Sequence, residues 1–395
     1  NCGIRSSTKK VTMARRITGI DIGTSQVRVV IAEVNPDSPY PRIVGTGMSE
    51  SKGMRHGYIL SVGEVSRSIR VAVAQAEKTA GSRVKSAYVS VGGIGLEEVR
   101  SRGEAVIARA DAEVTDLDIE KALQAAHMNA SSRFLNRRIL HTVPALYSLD
   151  GFEVMGRPQG MKGSKISVDV LYITALEQHV DDVISAVEDA DVAVIDIMAA
   201  PLAASIVTLS NAEKKAGCVL ANIGAETVSI AVFDNGIPIS VKIFKIGSMD
   251  ITKDIALGLR ISLDEAEQLK LGATSSVSKK RLGDILVARL SDIFELIDNH
   301  LKKIGRDGML PAGIILSGGG AGIGPISEIA ESTLRLHSKM AHLSLPGDQK
   351  IRDSSWAVAY GLAVWGSSGG EREGRSPRIG NVIGRIVTLF RQFLP

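Results

Sequence analysis

Asp21-Ile22-Gly23-Thr24-Ser25 puts a carboxylate, a glycine and two hydroxyls into five residues between two β-branched runs. A glycine turn there lets backbone N–H groups approach a polyphosphate with no Cβ in the way. Thr24 and Ser25 can add donors, and Asp21 is of the type that holds Mg²⁺ through water, as hard oxygen ligands do. The pattern returns 201 residues later at Asn222-Ile223-Gly224-Ala225-Glu226-Thr227. A third glycine device, Leu316-Ser317-Gly318-Gly319-Gly320, ends an apolar strand ahead of a helix and would leave bare backbone for a base and ribose. Singly, each is most simply a β-turn, because forty glycines make chance turns common. Three in this order and spacing describe a nucleotide clamp.

The elements that must position these turns follow from hydrophobic periodicity. Ile17–Val34 reads as two strands around the Gly23 turn, Arg42–Met48 as a third, and Ala87–Val91 as a fourth. Glu64–Thr79 has helical spacing and stops at Gly81. Residues 93–173 change character, with more charge and a helix near Asp116–Asn129, and read as a compact α+β insertion. Helices are expected over Val180–Ala190, Pro201–Ser210, Ile251–Leu259, Leu263–Gly272, Leu282–Ile304 and Ser355–Trp365, with strands at Val192–Ile197 and from Ile314. Aligning residues 20–33 with 221–234 sets Asp21 on Asn222, Gly23 on Gly224 and Val27 on Val228. Two similar lobes facing a shared cleft follow from that duplication.

Composition removes several alternatives. Hydrophobic residues at 44% and charged residues at 23% suit a folded chain of more than one domain. Aromatic residues are only 4%, too few for a single-strand stacking surface. The net charge of +4 is concentrated at the ends, leaving a mildly acidic body, so no nucleic-acid partner is expected. Cys2 and Cys218 are too few and too distant for a zinc or disulfide framework. Residues 1–16 read as a basic, disordered arm, with Met13 as a natural start. His127, His141, His179 and His300 lack ligand spacing and are expected at the surface or at helix ends, and Asp181-Asp182 at a helix N-terminus.

The last residues carry a second chemistry. Ile383, Ile386, Val387, Phe390, Phe393 and Leu394 form one helical stripe, with Arg385 and Arg391 off it. About fourteen residues reach only ~21 Å, short of a bilayer's ~30 Å core. Such a helix should lie in the interface, arginines toward anionic headgroups.

These motifs resemble the actin/Hsp70-like ATPases, and within them the bacterial cell-division family FtsA. Asp21–Ser25 and Asn222–Thr227 resemble the two phosphate motifs, and Leu316–Gly320 the adenosine motif. Pro201–Ser205 and Ser355–Gly361 resemble the two helices that connect the lobes, and Gly247–Ala256 the loop and helix that follow the second lobe's strands. Ser51–Ile59 resembles the family's Arg-Gly loop. The resemblance implies an α/β, actin-like two-lobed fold of duplicated ribonuclease-H-like domains. Subdomain 1A would comprise 17–92, 174–206 and 345–366, with 1C inserted at 93–173. Subdomain 2A would take 207–247 and 311–344, and 2B 248–310. A linker over 367–379 and an amphipathic membrane-targeting helix over 380–395 would complete the chain.

It implies further that Asp21, Gly23, Thr24, Ser25, Asn222, Gly224, Thr227, Gly318, Gly319 and Gly320 bind ATP and Mg²⁺. Glu267 and Lys270 would either touch the ribose and adenine or form a solvated i,i+3 pair. The implied partners are the C-terminal peptide of FtsZ, further copies of the chain in a filament, an anionic membrane surface and later division proteins. The implied place is the septum, at the cytoplasmic face of the membrane. Two departures matter. Asn222 stands where the family pattern has an acid, and an amide cannot serve as a base. Glu226 stands where it has glycine and brings charge near the phosphates, so either its side chain points away or triphosphate binding is weakened. Binding with slow hydrolysis is expected. A type IV pilus adaptor resembling PilM is the other reading of this fold, and a sugar kinase is disfavoured by Asn222.

Overall fold

The computed structural model describes residues 15–35, 38–273, 278–346 and 353–368. The membrane-directed stripe at Ile383, Ile386, Val387, Phe390, Phe393 and Leu394, with Arg385 and Arg391, lies outside these residues, as do residues 1–14.

Two five-stranded sheets carry the same topology. The first runs Arg42–Glu50, Gln26–Glu33, Arg16–Ile22, Ser86–Val91, Ala193–Ala199. The second runs Ile237–Phe244, Val228–Asp234, Cys218–Ile223, Ile314–Ser317, Ser338–Met340. In each, three antiparallel strands are followed by two parallel ones. Register repeats with the sequence: Ile22 faces Val27 in one turn, and Ile223 faces Val228 in the other. Arg16 opens the first strand and Arg15 donates to the Gly366 carbonyl, so these two belong to the fold and not to a loose arm.

Alternation explains where the cores lie. Along Cys218–Ile223, Cys218 and Leu220 join the core shared with the first lobe, while Val219, Ala221 and Ile223 join the core under the second lobe's helices. Period-two burial on both faces is what a sandwiched strand requires. Helices Ala200–Thr208 and Ala357–Ser368 cross in the shared core, joining the lobes. The second follows a short 3₁₀ turn at Ser354–Trp356, which delays its start relative to the apolar spacing.

The insertion is a four-stranded sheet, ordered Leu96–Val106, Lys165–Leu176, Arg137–Leu149, Phe152–Val154, with helix Asp116–Asn129 against it and a core of its own. His141, in strand Arg137–Leu149, is at neither the surface nor a helix end, and His179 is at a helix end, in the first turn of Glu177–Glu188, but is buried. His141 is buried, and its Nε2 accepts the Ala199 N–H at 3.0 Å, which fastens the insertion to the first sheet. Burial pushes its pKa down to about 3, so the ring is neutral and able to accept. His179 is 1% exposed and stacked on Tyr58 with ring centroids 4.7 Å apart. His127 and His300 do sit in the last turns of their helices. Asp181 lies one turn inside helix Glu177–Glu188 and binds Arg138 at 2.9 Å, so the Asp181-Asp182 pair does not start the helix.

Candidate nucleotide cleft

The duplicated turn is the same object built twice. Gly23 N–H donates to Gln26 O at 3.1 Å, and Gly224 N–H donates to Thr227 O at 2.9 Å. A Cβ at Gly23 would lie 2.8 Å from Gln26 O, and one at Gly224 would lie 2.8 Å from Thr227 O. Each closed turn therefore excludes any side chain at its glycine, and both arise from the local chemistry of strand, glycine and strand. Ser25 is exposed at the tip of the first turn, and its carbonyl accepts from Ser51 N–H at 2.9 Å.

The second turn is braced from below. Ser248 N–H and Met249 N–H, at the start of helix Ser248–Leu259, donate to the Gly224 and Ala225 carbonyls at 2.9 and 2.8 Å. Gly320 N–H donates to Ile223 O at 2.9 Å, which seats the glycine junction on the same strand end. Asn222 places its side-chain oxygen against Gly318, where a Cβ would come within 2.2 Å of it. Gly318 and Gly319 line an open pocket of about 300 Å³ together with Met340, His342, Asp353 and Ser354. Gly23 and Gly224 do not line this pocket; they are joined to it through the contacts of Ile223, Asn222 and the loop described next.

Loop 51–59 ties the two turns to each other. Gly57 N–H donates to Thr24 Oγ1 at 2.9 Å, and His56 N–H donates to Glu226 Oε2 at 2.5 Å. With Thr24 Oγ1 accepting, its own proton is left to point elsewhere. Of the outcomes open to Glu226, the structure shows its carboxylate held by the His56 N–H.

Asp21 is buried and accepts Ser90 Oγ at 2.8 Å. Burial raises its pKa above the usual carboxylate value, partly offset by the nearby Arg28 guanidinium and the Ser90 bond. Arg28 lies outside the glycine motifs, and its cross-strand pairing with Asp21 is the sequence signal that finds it. Its guanidinium lies 5.9 Å from the Trp356 ring centroid, and its Nη2 donates to Gln26 Oε1. Two buried polar atoms beside the first turn, Arg28 Nε and Ser51 Oγ, have no hydrogen-bond partner among the described residues. A cationic group with an unanswered donor, beside a turn with bare backbone, fits an anionic ligand such as a phosphate.

Glu267 and Lys270 are not the solvated pair that helical spacing alone allows. Lys270 has a side chain only 5% exposed and donates to Glu267 Oε2 at 2.7 Å, Thr252 Oγ1 at 2.8 Å and Ser248 O at 3.2 Å. All three ammonium donors are used. The pair welds helix Leu263–Lys270 to the start of helix Ser248–Leu259, which itself carries the second turn. Glu267 is 37% exposed and keeps one edge open to solvent. Burial and its two hydrogen-bond donors pull its pKa in opposite directions, and the net shift is downward.

Two duplicated sheets, two closed glycine turns and a glycine junction on one strand end define an actin-like, nucleotide-binding fold. The solved PilM–PilN type IV pilus biogenesis complex matches that fold at 17% identity, covering 90% of this chain and 99% of the other with a TM-score of 0.69. MreB5 of Spiroplasma citri bound to ADP matches at 14% identity over 89% and 96%, with a TM-score of 0.50. At these identities the likeness is one of fold alone. The family model for cell division protein FtsA matches residues 219–361, and that for the SHS2 domain inserted in FtsA matches residues 95–174. Cell division protein FtsA of Neisseria meningitidis is 31% identical over 374 residues, covering 88% of this chain and 89% of that protein. The chain belongs to the FtsA family of cell division proteins.

Proposed function

We propose that the cleft binds ATP with Mg²⁺ and turns it over slowly, and that the chain tethers FtsZ filaments to the inner face of the membrane. The observation that carries the first part is the pair of identical closed turns joined across the cleft by His56 and Gly57. Backbone N–H groups of the turns, with Thr24, Ser25 and Thr227, would hold the phosphates. Arg28 would neutralise one phosphate oxygen with its free donor. The magnesium ion would neutralise phosphate charge, with Asp21 meeting its waters. Gly318, Gly319 and Gly320 would back the ribose and base, and Glu267 would offer its open edge to the ribose, with Lys270 holding it in place. Asn222 cannot abstract a proton from an attacking water, which supports slow turnover.

The second part rests on membership of the family. The FtsZ C-terminal peptide would dock on the helical part of the second lobe, roughly residues 248–310. Further copies of the chain would add through the lobes and the insertion, and later division proteins would join. Residues 380–395 would hold the assembly on an anionic membrane surface, although no helix among the described residues is long and apolar enough to cross one.

Fluorescence anisotropy with a labelled FtsZ C-terminal peptide tests the partner. Saturable binding is expected at micromolar concentration, about −8 kcal/mol, with none for a pilus-protein peptide. Binding of the pilus peptide alone would reverse the assignment.

A further inference from the structure

One contact crosses the cleft between residues 170 positions apart. His56 belongs to the first lobe, in the loop between strand Arg42–Glu50 and helix Val62–Ala80. Glu226 belongs to the turn of the second lobe. The His56 N–H donates to the Glu226 carboxylate at 2.5 Å, and His56 Nδ1 lies 3.2 Å from the Glu226 carbonyl oxygen. The adjacent peptide, Gly57, holds Thr24 in the first turn. The loop that carries both donors is itself anchored: Ile94 N–H donates to His56 O, and Tyr58 stacks on His179. A fixed loop thus grips both phosphate-facing turns through two consecutive peptide groups.

We propose that Glu226 is a latch, a positioning residue whose bond to His56 holds the cleft closed and sets how slowly a bound nucleotide leaves. The inference rests on the reading that the cleft takes a nucleotide. Glu226 and His56 side chains are 24% and 16% exposed, so the bond is partly shielded from water while the lobes are together. Parting the lobes breaks it and hydrates the carboxylate. A hydrogen bond to a charged acceptor is worth roughly tenfold or more in such an equilibrium. Because the contact exists only in the closed arrangement, it shifts the population toward closure and not merely the stability of one lobe.

The test uses the full chain with Cys2→Ser and spin labels at Lys78→Cys and Asn299→Cys, exposed positions on the two lobes; Cys218 is buried and takes no label. Without nucleotide, pulsed electron resonance should give a longer or broader distance distribution for Glu226→Ala than for the unsubstituted residue. Glu226→Gln, whose amide oxygen still accepts from His56 N–H, should stay near the original. Dissociation of a fluorescent ATP analogue should accelerate by roughly tenfold or more in Glu226→Ala and by no more than about threefold in Glu226→Gln. An unchanged distance or an unchanged dissociation rate in Glu226→Ala overturns the latch, and so does a Glu226→Gln that behaves like the alanine variant. If the unsubstituted chain takes up no analogue, the nucleotide reading falls instead. The latch is then decided by the distances.

Discussion

Gly319→Phe is expected to abolish nucleotide binding while leaving the fold intact. Gly319 lies in the junction Gly318-Gly319-Gly320, has an ordinary backbone conformation, and a Cβ built on it meets no atom within 4 Å. It borders the pocket of about 300 Å³, so a phenyl ring enters open space and strikes no packed neighbour. That volume is what the base and ribose would need. Affinity should fall by about 100-fold or more, equivalent to ~2.7 kcal/mol. The melting temperature of the unliganded protein should stay within about 2 °C, as for other substitutions that create no clash. The neighbouring Gly318→Ala should behave in the opposite way. Gly318 has φ +90, and its Cβ would sit 2.2 Å from Asn222 Oδ1 and 2.6 Å from Ile223 O, so the smallest side chain strains the strand end itself. Titration of a fluorescent ATP analogue alongside thermal melts separates the two. A Gly319→Phe variant that binds normally would remove the junction from the site.

Gly361→Ala should be strongly damaging for the addition of one methyl group. Gly361 lies in helix Ala357–Ser368 where it crosses helix Ala200–Thr208, and its Cβ would fall 1.9 Å from the Ala203 carbonyl oxygen and 2.7 Å from the carbonyl carbon. Both neighbours are backbone atoms, so no rotamer change relieves the clash; the helices must move apart. Overpacking of this kind costs about 1–3 kcal/mol and more when backbone must shift. Separation of these helices also opens the core common to both lobes, which runs through Leu202, Ala203, Tyr360 and Leu362 to Leu220 and Phe233. A thermal transition lower by about 2–5 °C is expected for a chain of this size. A melt unchanged from the parent would show that the helices do not cross at Gly361.

What could be read from the sequence is what local chemistry decides. The two glycine turns recur because strand–glycine–strand is a self-contained device, and their 201-residue offset reappears as matching registers, Ile22 with Val27 and Ile223 with Val228. Helices with clean apolar spacing, such as Val62–Ala80 and Lys279–Lys303, were legible to within a few residues at their ends. The three-residue strand Ser338–Met340 was not, because its only support is a parallel partner at Ile314–Leu316. The buried roles of His141 and His179 were illegible for a related reason. Whether an imidazole is desolvated depends on what packs on it, and Ala199 and Tyr58 are far away in the chain. Lys270 looked like half of a surface pair because i,i+3 spacing says nothing about burial; Ser248 and Thr252, from the preceding helix, complete its shell. Glu226 was correctly marked as unusual, but its partner His56 can only be found once the lobes are folded together.

Hydrogen exchange with and without MgATP tests the central claim most directly. One ligand should slow exchange together in three distant stretches: around Gly23–Gln26, around Gly224–Thr227 and around Gly318–Ala321, each by about tenfold or more at saturating nucleotide. Protection confined to one of the three, or appearing elsewhere while these remain unchanged, would contradict a single cleft shared by both lobes.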